Sequence, residues 1–263
     1  MLLMVMLCSS TPLAAQVPED LARDRAEYAA WLRTGPTSPF AAIALQRIGS
    51  GVTLGPAGSD IVLERVPQVR VTESGGRVML DSAGAARVLP RNRVAPFGPY
   101  RLLATGTTGR AALMVFGPTR DAAAPAYFPW LPAGVDTVDL MPPAKRGSVV
   151  LLAPEGAEVE AVEAGSVTVD RFGAAAVLQV RQFPGASDDE TELEIYFRDG
   201  TSGQGSYPAG RFVSLERLGN GRYLLDFNQA RNPFCAYSSV FPCPAPWAGN
   251  TVAARVEAGE TYK

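Results

Sequence analysis

Polar side chains suited to binding or acid–base chemistry are concentrated in residues 224–260. This segment carries the acids Asp226 and Glu260 and the amides Asn228 and Asn232. Carboxylates can act as general acids and bases, whereas amide groups hydrogen-bond polar ligands. Because the chain contains no histidine, an imidazole-activated nucleophile and a histidine-ligated metal are both excluded. Any chemistry must therefore come from carboxylates, Arg, Tyr, Ser, Thr or Asn.

A second polar segment, DGTSGQG at residues 199–205, is a glycine-rich turn that follows a predicted strand. Successive N–H groups in such a turn can bind an anion, and Arg211 could make a bidentate contact to a carboxylate or phosphate. The alternative is that Arg211 pairs with Asp199 or Asp226 as part of the scaffold. Glu260 is either a further carboxylate at this site or an ion-pair partner near the C-terminus.

We expect the two polar segments to lie side by side and to form one pocket. In the sequence LLDFN, β alternation places Asp226 and Asn228 on the same face of a strand end. These side chains would bind either a ligand or the irregular backbone of residues 229–250, whose peptide groups need partners. The candidate ligand contacts are Asp199, Thr201, Tyr207, Arg211, Asp226, Asn228, Asn232 and Glu260.

The N-terminal residues predict an exported protein. Residues 1–16 form a short apolar run followed by small residues, which is typical of a signal peptide cleaved after Ala15. A buried N-terminal strand is the alternative, and the run is too short for a membrane span. We therefore expect the mature chain in the periplasm or outside the cell. The formal net charge of -2 and the lack of a basic run argue against a nucleic-acid partner.

The cysteine count bears on the same compartment. Cys235 and Cys243 are the two cysteines that remain after signal cleavage. In an oxidising compartment such a pair favours a disulfide, which would contribute about 2–3 kcal/mol for so short a loop. A redox or metal pair is the alternative, although two thiolates without histidine make a poor zinc site. We predict a structural disulfide, no metal and no cofactor.

The elements that must position these residues are mainly β-strands, preceded by one helix. Pro18, Glu19 and Asp20 predict the start of this helix, and Gly35 predicts its end. The predicted organisation is a signal peptide (1–15), an N-terminal helix (16–37), a small β-sandwich-like module (38–120), a linker rich in Pro and Ala (121–147) and a second antiparallel β domain (148–263).

Turn chemistry and alternation locate individual strands. Ser74-Gly75-Gly76 and Asn220-Gly221 are hairpin signals, and VDTVDL predicts one short strand within the linker. Separate strands are expected at residues 157–163 and 166–170, and the acidic run at residues 188–190 is expected to be a solvated turn. In residues 191–197, alternation predicts a buried side with Leu193, Ile195 and Phe197, and a wet side with Glu192, Glu194 and Tyr196.

Residues 52–66, VTLGPAGSDIVLERV, resemble the first two strands of a forkhead-associated domain, in which a Gly-containing turn leads into an Asp-Ile-Val-Leu strand. The resemblance implies a β-sandwich fold for the N-terminal module. It does not carry over phosphothreonine binding, because the Arg, Ser and His positions of that family have no match here.

The two polar segments together resemble the bacterial family known as domain of unknown function 1684. Its pattern joins an Asp-x-Thr-x-Gly segment ending in Gly-Arg to Asp-Phe-Asn-x-Ala-x-Asn-Pro-x-Cys-Ala, Cys-Pro-x-Pro, an Asn and Ala-Gly-Glu. The matching residues are Phe197, Asp199, Thr201, Gly203, Tyr207, Gly210, Arg211, Asp226, Phe227, Asn228, Ala230, Asn232, Pro233, Cys235, Ala236, Cys243, Pro244, Pro246, Asn250, Ala258, Gly259 and Glu260. Ser206 replaces a usual Thr, and Trp247-Ala248-Gly249 replaces a Pro-Pro-Glu-like stretch. The resemblance implies family membership over about 197–260 and no particular activity.

The favoured function is a non-catalytic binding or structural module of the cell envelope, with a polar pocket for a small anionic or polyhydroxyl ligand such as a glycan. The alternative is a hydrolase of a glycan or other envelope substrate, with Asp199, Asp226 or Glu260 as general acid and base. Hydrolysis needs two carboxyl groups roughly 5–10 Å apart across a cleft. Carboxylates bound to arginine or backbone amides would instead favour the binding or structural function.

Overall fold

The structure is a computed structural model that describes residues 16–120, 123–173, 175–184 and 191–263. It is 43% strand and 12% helix, with one α-helix followed by three sheets that are almost entirely antiparallel. The predicted mainly β fold with an N-terminal helix is therefore confirmed. The predicted signal peptide and the acidic run at residues 188–190 lie outside the described residues.

Helix α1 spans Glu19–Thr34 and begins directly after Pro18, as its sequence predicts. Leu21 and Leu32 on its apolar side are buried. Its Trp31 ring lies 5.8 Å from the ring of Phe234, measured between centroids. The helix therefore packs against the C-terminal polar segment, about 200 residues further along the chain. No helix within the described ranges has both the length and the apolar character that a membrane crossing requires.

The N-terminal β module consists of two facing sheets. Its strands are β1 (Ala42–Arg47), β2 (Val52–Gly55), β3 (Ile61–Val62), β4 (Val69–Ser74), β5 (Arg77–Ser82), β6 (Ala85–Leu89), β7 (Val94–Phe97), β8 (Tyr100–Thr105) and β9 (Ala112–Phe116). One sheet has the order β1-β9-β8-β7 and the other β3-β2-β4-β5-β6. Buried apolar side chains from both sheets, among them Val71, Leu80 and Leu113, share one core. The sandwich-like module is confirmed.

The remaining strands form a single seven-stranded antiparallel sheet. They are β10 (Val135–Asp139), β11 (Ser148–Leu152), β12 (Glu158–Val169), β13 (Ala176–Pro184), β14 (Thr191–Phe197), β15 (Arg211–Gly219) and β16 (Arg222–Asp226), in the order β10-β16-β15-β14-β13-β12-β11. Asn220 and Gly221 have φ of 52° and 77° and connect β15 to β16 in the predicted hairpin. Strand β10 comes from the predicted linker and pairs with β16, so this sheet extends beyond the expected boundary at residue 148.

Strand β12 differs from the prediction of two separate strands. Gly165 has φ of 147°, and the register with β13 shifts between Glu163 and Gly165. A side chain at position 165 would clash with the carbonyl oxygen of Met141, which bonds to the neighbouring Ser166 amide. The glycine therefore makes a bulge that bends a continuous strand, where its sequence signal predicted a break.

Both sides of β14 are covered. Ile195 and Phe197 lie in the largest core cluster, whereas Tyr196 packs in a second cluster with Phe212 and Trp247. The expectation that Glu194 and Tyr196 face water is wrong, because both are buried. Loops from distant parts of the chain cover this side of the sheet, and alternation within one strand carries no information about them.

Candidate functional site

Cys235 and Cys243 form a disulfide, with their Cα atoms 5.4 Å apart, so the predicted pairing is confirmed. The hydroxyl of Tyr207 lies 3.3 Å from the Cys235 sulfur and 3.2 Å from the Cys243 sulfur. The Tyr207 ring meets the Tyr262 ring edge-on, with centroids 4.7 Å apart. Tyr207 thus joins the glycine-rich loop to the disulfide and to the C-terminal residues.

Arg211, the first residue of β15, is fully buried and binds the C-terminal segment. Its guanidinium donates to Asp199 Oδ1 at 3.2 Å and to Thr201 Oγ1 at 3.4 Å. It also donates to the backbone carbonyl oxygens of Val256, Glu260 and Ala258. Burial lowers the pKa of Arg211, and the nearby Asp199 carboxylate opposes that effect. Both Nη atoms are therefore occupied by internal partners, whereas Nε has no hydrogen-bond partner among the described residues.

The carboxylate of Asp199 is also engaged by internal partners. Its Oδ2 accepts hydrogen bonds from the amides of Val256 at 2.7 Å and Thr201 at 3.0 Å, and from the Thr201 hydroxyl at 2.8 Å. The Thr201 hydroxyl lies 2.8 Å from that of Ser206. The turn at residues 199–205 is thus closed by its own side chains.

Asp226 and Asn228 form a second network. Asp226 Oδ1 accepts from the backbone amide and the side-chain Nδ2 of Asn228, each at 2.8 Å. Asn228 Oδ1 accepts from the Leu131 amide at 2.8 Å, and its Nδ2 donates to the Leu131 carbonyl at 2.9 Å. Arg25 of α1 donates to the backbone carbonyl of Asn228 at 2.9 Å. Both side chains hold backbone, as in the scaffold alternative, but at residues 131 and 228 and not in the expected 229–250 segment.

The two polar segments are adjacent: Arg211 and Asp199 bind residues 256–260, whereas Asp226 and Asn228 belong to the separate network with Leu131. They meet where the backbones of Phe212 and Arg231 exchange two hydrogen bonds of 2.9 and 2.8 Å. Beside this point, the buried carboxylate of Glu260 accepts from the Asn232 amide at 2.6 Å and the Tyr237 hydroxyl at 2.5 Å. Burial raises the pKa of Glu260 to about 7.

Asn232 is 5% exposed, and its side chain is only half satisfied. Its Nδ2 donates to the Thr261 carbonyl at 3.1 Å. Its Oδ1 has no hydrogen-bond partner among the described residues. Buried polar atoms without partners are uncommon, and each calls for a specific explanation.

Asn232 lies at the wall of a cavity of about 550 Å³ between α1 and strands β14 and β15. The aromatic rings of Tyr28, Trp31, Phe212 and Phe234 form much of this wall. A volume of this size falls within the range of small-molecule sites, which combine aromatic walls with a few polar groups. Of the eight residues predicted to contact a ligand, Asn232 lines this cavity.

The cavity also contains charged side chains that no sequence pattern indicated as site residues. Arg231 is paired with Asp24 of α1 at 2.7 Å, and its guanidinium lies 4.1 Å from the Tyr28 ring centroid. Glu194 is 8% exposed and accepts a hydrogen bond of 2.8 Å from the Ser214 hydroxyl. Burial, with smaller contributions from neighbouring carboxylates, raises the pKa of Glu194 to about 7.

A second cavity of about 310 Å³ shares Pro154, Glu192 and Glu194 with the first and adds Glu155. Burial raises the pKa of Glu155 as well. The available sequence signal was the alternation that placed Glu192 and Glu194 on one side of β14. That signal could not show that residues of α1 and the 153–155 loop would lie across from them.

Comparisons with known proteins bear on the C-terminal half. Residues 126–261, just over half of the chain, match the family described as protein of unknown function (DUF1684). The solution NMR structure of the uncharacterized protein from gene locus rrnAC0354 of Haloarcula marismortui is 33% identical over 53% of this chain and 76% of that chain, with a TM-score of 0.45. A search of curated proteins gave no match.

The match includes both polar segments, the disulfide and Glu260, as the sequence pattern predicts. The forkhead-associated resemblance lies outside the matched residues and stays a prediction, as do the ligand-binding functions of the eight candidate residues. The chain belongs to the family of proteins of unknown function designated DUF1684.

Proposed function

We propose that the protein is a non-catalytic binding module whose cavity beside α1 accepts a small polyhydroxyl ligand, such as a fragment of a glycan. The observation that carries the proposal is the cavity of about 550 Å³, whose wall combines the aromatic rings of Tyr28, Trp31 and Phe234 with polar side chains. Small-molecule sites have this size and composition.

The aromatic rings support a ligand with both apolar and polar faces. The rings of Tyr28 and Trp31 stack with centroids 5.7 Å apart, and Phe234 extends this surface on the other side of Trp31. A sugar ring offers C–H groups that can pack on such a surface and hydroxyl groups that can reach the polar side chains at its edge. Aromatic walls with few polar contacts are the usual composition of small-molecule sites.

The charges of the cavity favour a polyhydroxyl ligand over an anionic one. Arg231 is already paired with Asp24, so its positive charge is compensated. Two further acidic side chains, Glu192 and Glu194, line the same cavity. Once they are ionised, which for Glu194 requires a pH above its pKa of about 7, they would repel an anionic ligand at short range, where screening is weak.

The carboxylates that would carry the hydrolytic alternative have other partners. Asp199 is bound by Arg211 and two amides, Asp226 by Asn228, and Glu260 by Asn232 and Tyr237. Such carboxylates are positioned to hold backbone, which supports the non-catalytic function. We also propose that the protein is exported, because a disulfide persists in an oxidising compartment.

The test is calorimetric titration of the purified protein with a panel of mono- and oligosaccharides. We expect at least one saccharide to bind, and Trp31→Ala to weaken its binding at least tenfold. Trp130→Ala is the matched control, because it removes an indole that does not line this cavity. The proposal fails if no saccharide binds. It also fails if Trp31→Ala binds the saccharide as tightly as the Trp130→Ala control and the parent protein do.

A further inference from the structure

A third cavity, of about 440 Å³, lies where the N-terminal β module meets the seven-stranded sheet. The module contributes Leu45 and Ala112, the sheet contributes Leu152, and the loop closed by the disulfide contributes Val240 and Phe241. This volume falls within the range of small-molecule sites, which occur preferentially at domain interfaces. The third cavity is separate from the cavity beside α1, because no described residue lines both.

The apolar wall of this cavity is held firmly in place. Phe241 is buried in the cluster that joins the two β units, together with Phe116 of β9. Pro242 lies against Gly156, where φ is 70° and an added Cβ would be 2.9 Å from the proline ring. The disulfide anchors the same loop, since Cys243 follows Pro242 directly. The apolar surface is therefore preorganised, which reduces the entropy lost on binding.

Two arginines that line the cavity share one carboxylate. Arg110 donates from Nε and Nη2 to Glu158 at 2.7 and 2.8 Å, and Arg47 Nη2 bonds to the same carboxylate. The hydrogen bonds from Arg110 are the main cause of a lowered pKa of Glu158, so this acid is ionised at neutral pH. Because the described lining contains no other acid, two positive charges face one negative charge. One positive charge is left unbalanced.

The two guanidinium groups also keep unused donors. Arg47 Nε and Nη1 and Arg110 Nη1 have no acceptor within the segments that the structure describes. Both side chains are about half exposed, so a ligand can reach them. Arginine binds carboxylates through such N–H groups. A single carboxylate would neutralise the remaining charge, whereas a doubly charged phosphate would exceed it.

We propose that the third cavity binds a small monocarboxylate with an apolar body, such as a medium-chain fatty acid. The carboxylate lies against Arg47 and Arg110, and the hydrocarbon lies along Leu45, Val240 and Phe241. Removal of the hydrocarbon from water favours binding, and the arginines fix the orientation of the ligand. The site is independent of the saccharide site, so each can be tested without the other.

The same charged side chains connect the module to β12 through Glu158. Ion pairs of half-exposed arginines contribute little to stability. The apolar cluster around Phe241 and Phe116 joins the two β units independently of these charges. Replacing both arginines should therefore leave the protein folded, which circular dichroism would verify, and makes them suitable for a binding test.

The experiment is calorimetric titration at about pH 7, where carboxylic acids are ionised, with octanoate, octan-1-ol and acetate as probes. We expect saturable one-to-one binding of octanoate, at least tenfold tighter than binding of octan-1-ol or acetate. In the double variant Arg47→Gln, Arg110→Gln, octanoate should bind at least tenfold more weakly. Arg77→Gln is the control, because it removes an exposed arginine of the same module that does not line the cavity.

A second variant tests the apolar part of the site. Ala112→Leu adds bulk to the cavity wall without changing its charge, so octanoate should bind at least fivefold more weakly. The proposal is overturned if octanoate does not bind, or if octan-1-ol or acetate binds as tightly as octanoate does. It is also overturned if the double variant or Ala112→Leu binds octanoate as tightly as the Arg77→Gln control.

Discussion

Replacing Glu194 with glutamine should stabilise the protein at high pH. Burial raises the pKa of Glu194 to about 7 from an ordinary value of 4.5. The folded state therefore binds this proton more tightly than the unfolded state, so stability falls as pH rises from about 4.5 to about 7. At about 1.4 kcal/mol for each pKa unit, the loss above pH 7 is on the order of 3 kcal/mol.

The charged groups near Glu194 define what the substitution removes. Glu192 and Glu155 repel its negative charge, Arg231 attracts it, and the Ser214 hydroxyl donates to it. Glutamine keeps an oxygen that can accept from Ser214 and cannot ionise. Glu194→Gln should therefore raise the free energy of unfolding by up to ~3 kcal/mol at pH 8, and by less than ~0.5 kcal/mol at pH 4.5.

Urea denaturation followed by circular dichroism measures both values, with Glu160→Gln as a control for loss of one exposed carboxylate. The reasoning is refuted if Glu194→Gln is less stable than the parent at pH 8, or if its effect is the same at both pH values. A stabilising substitution at a buried acid would also be informative about function. Binding sites often retain groups that lower stability.

Three further predictions concern the scaffold around the cavity. Arg211→Met should lower the free energy of unfolding by about 3–5 kcal/mol, because it removes one partner of a buried ion pair and leaves carbonyl oxygens unsatisfied; a change below 1 kcal/mol in urea denaturation would contradict this. Replacing Cys235 and Cys243 with serine should cost about 2–3 kcal/mol, and a reductant should have the same effect on the parent protein alone. Gly259→Ala should cost at least ~2 kcal/mol, since φ is 76° and the new methyl would lie 2.7 Å from two carbonyl oxygens. Gly249 also has positive φ, but a methyl group added there would meet no atom within 4 Å. Gly249→Ala is therefore the control, and an equal lowering of the melting temperature by both glycine substitutions would contradict the packing argument.

Local turn chemistry was the most predictable part of the fold. The Asn220-Gly221 turn requires positive φ at both positions, and these two residue types adopt it readily. Helix α1 likewise begins where Pro18 and the following acids predict. These features depend on residues next to one another, so the sequence contains the physical cause in full.

Features that depend on distant segments were less predictable. Gly165 could equally end a strand or make a bulge, and the approach of Met141 decides between them. Asp199 and Arg211 could be foreseen as a possible pair, but their burial by residues 256–260 could not. Glu194 appears as one more polar residue of an alternating strand, whereas α1 and the loop near Pro154 enclose it.

The most direct test of the proposed binding function is an NMR titration that follows the indole N–H signals of the three tryptophans. Trp31 lines the cavity beside α1, Trp130 lines a different surface, and Trp247 packs among the core side chains behind β14. With the tightest-binding saccharide of the calorimetric panel as the probe, the Trp31 signal, assigned by Trp31→Phe, should shift progressively and saturate while the other two remain in place. A saturating shift at Trp130 or Trp247 with none at Trp31 would contradict the assignment of the cavity.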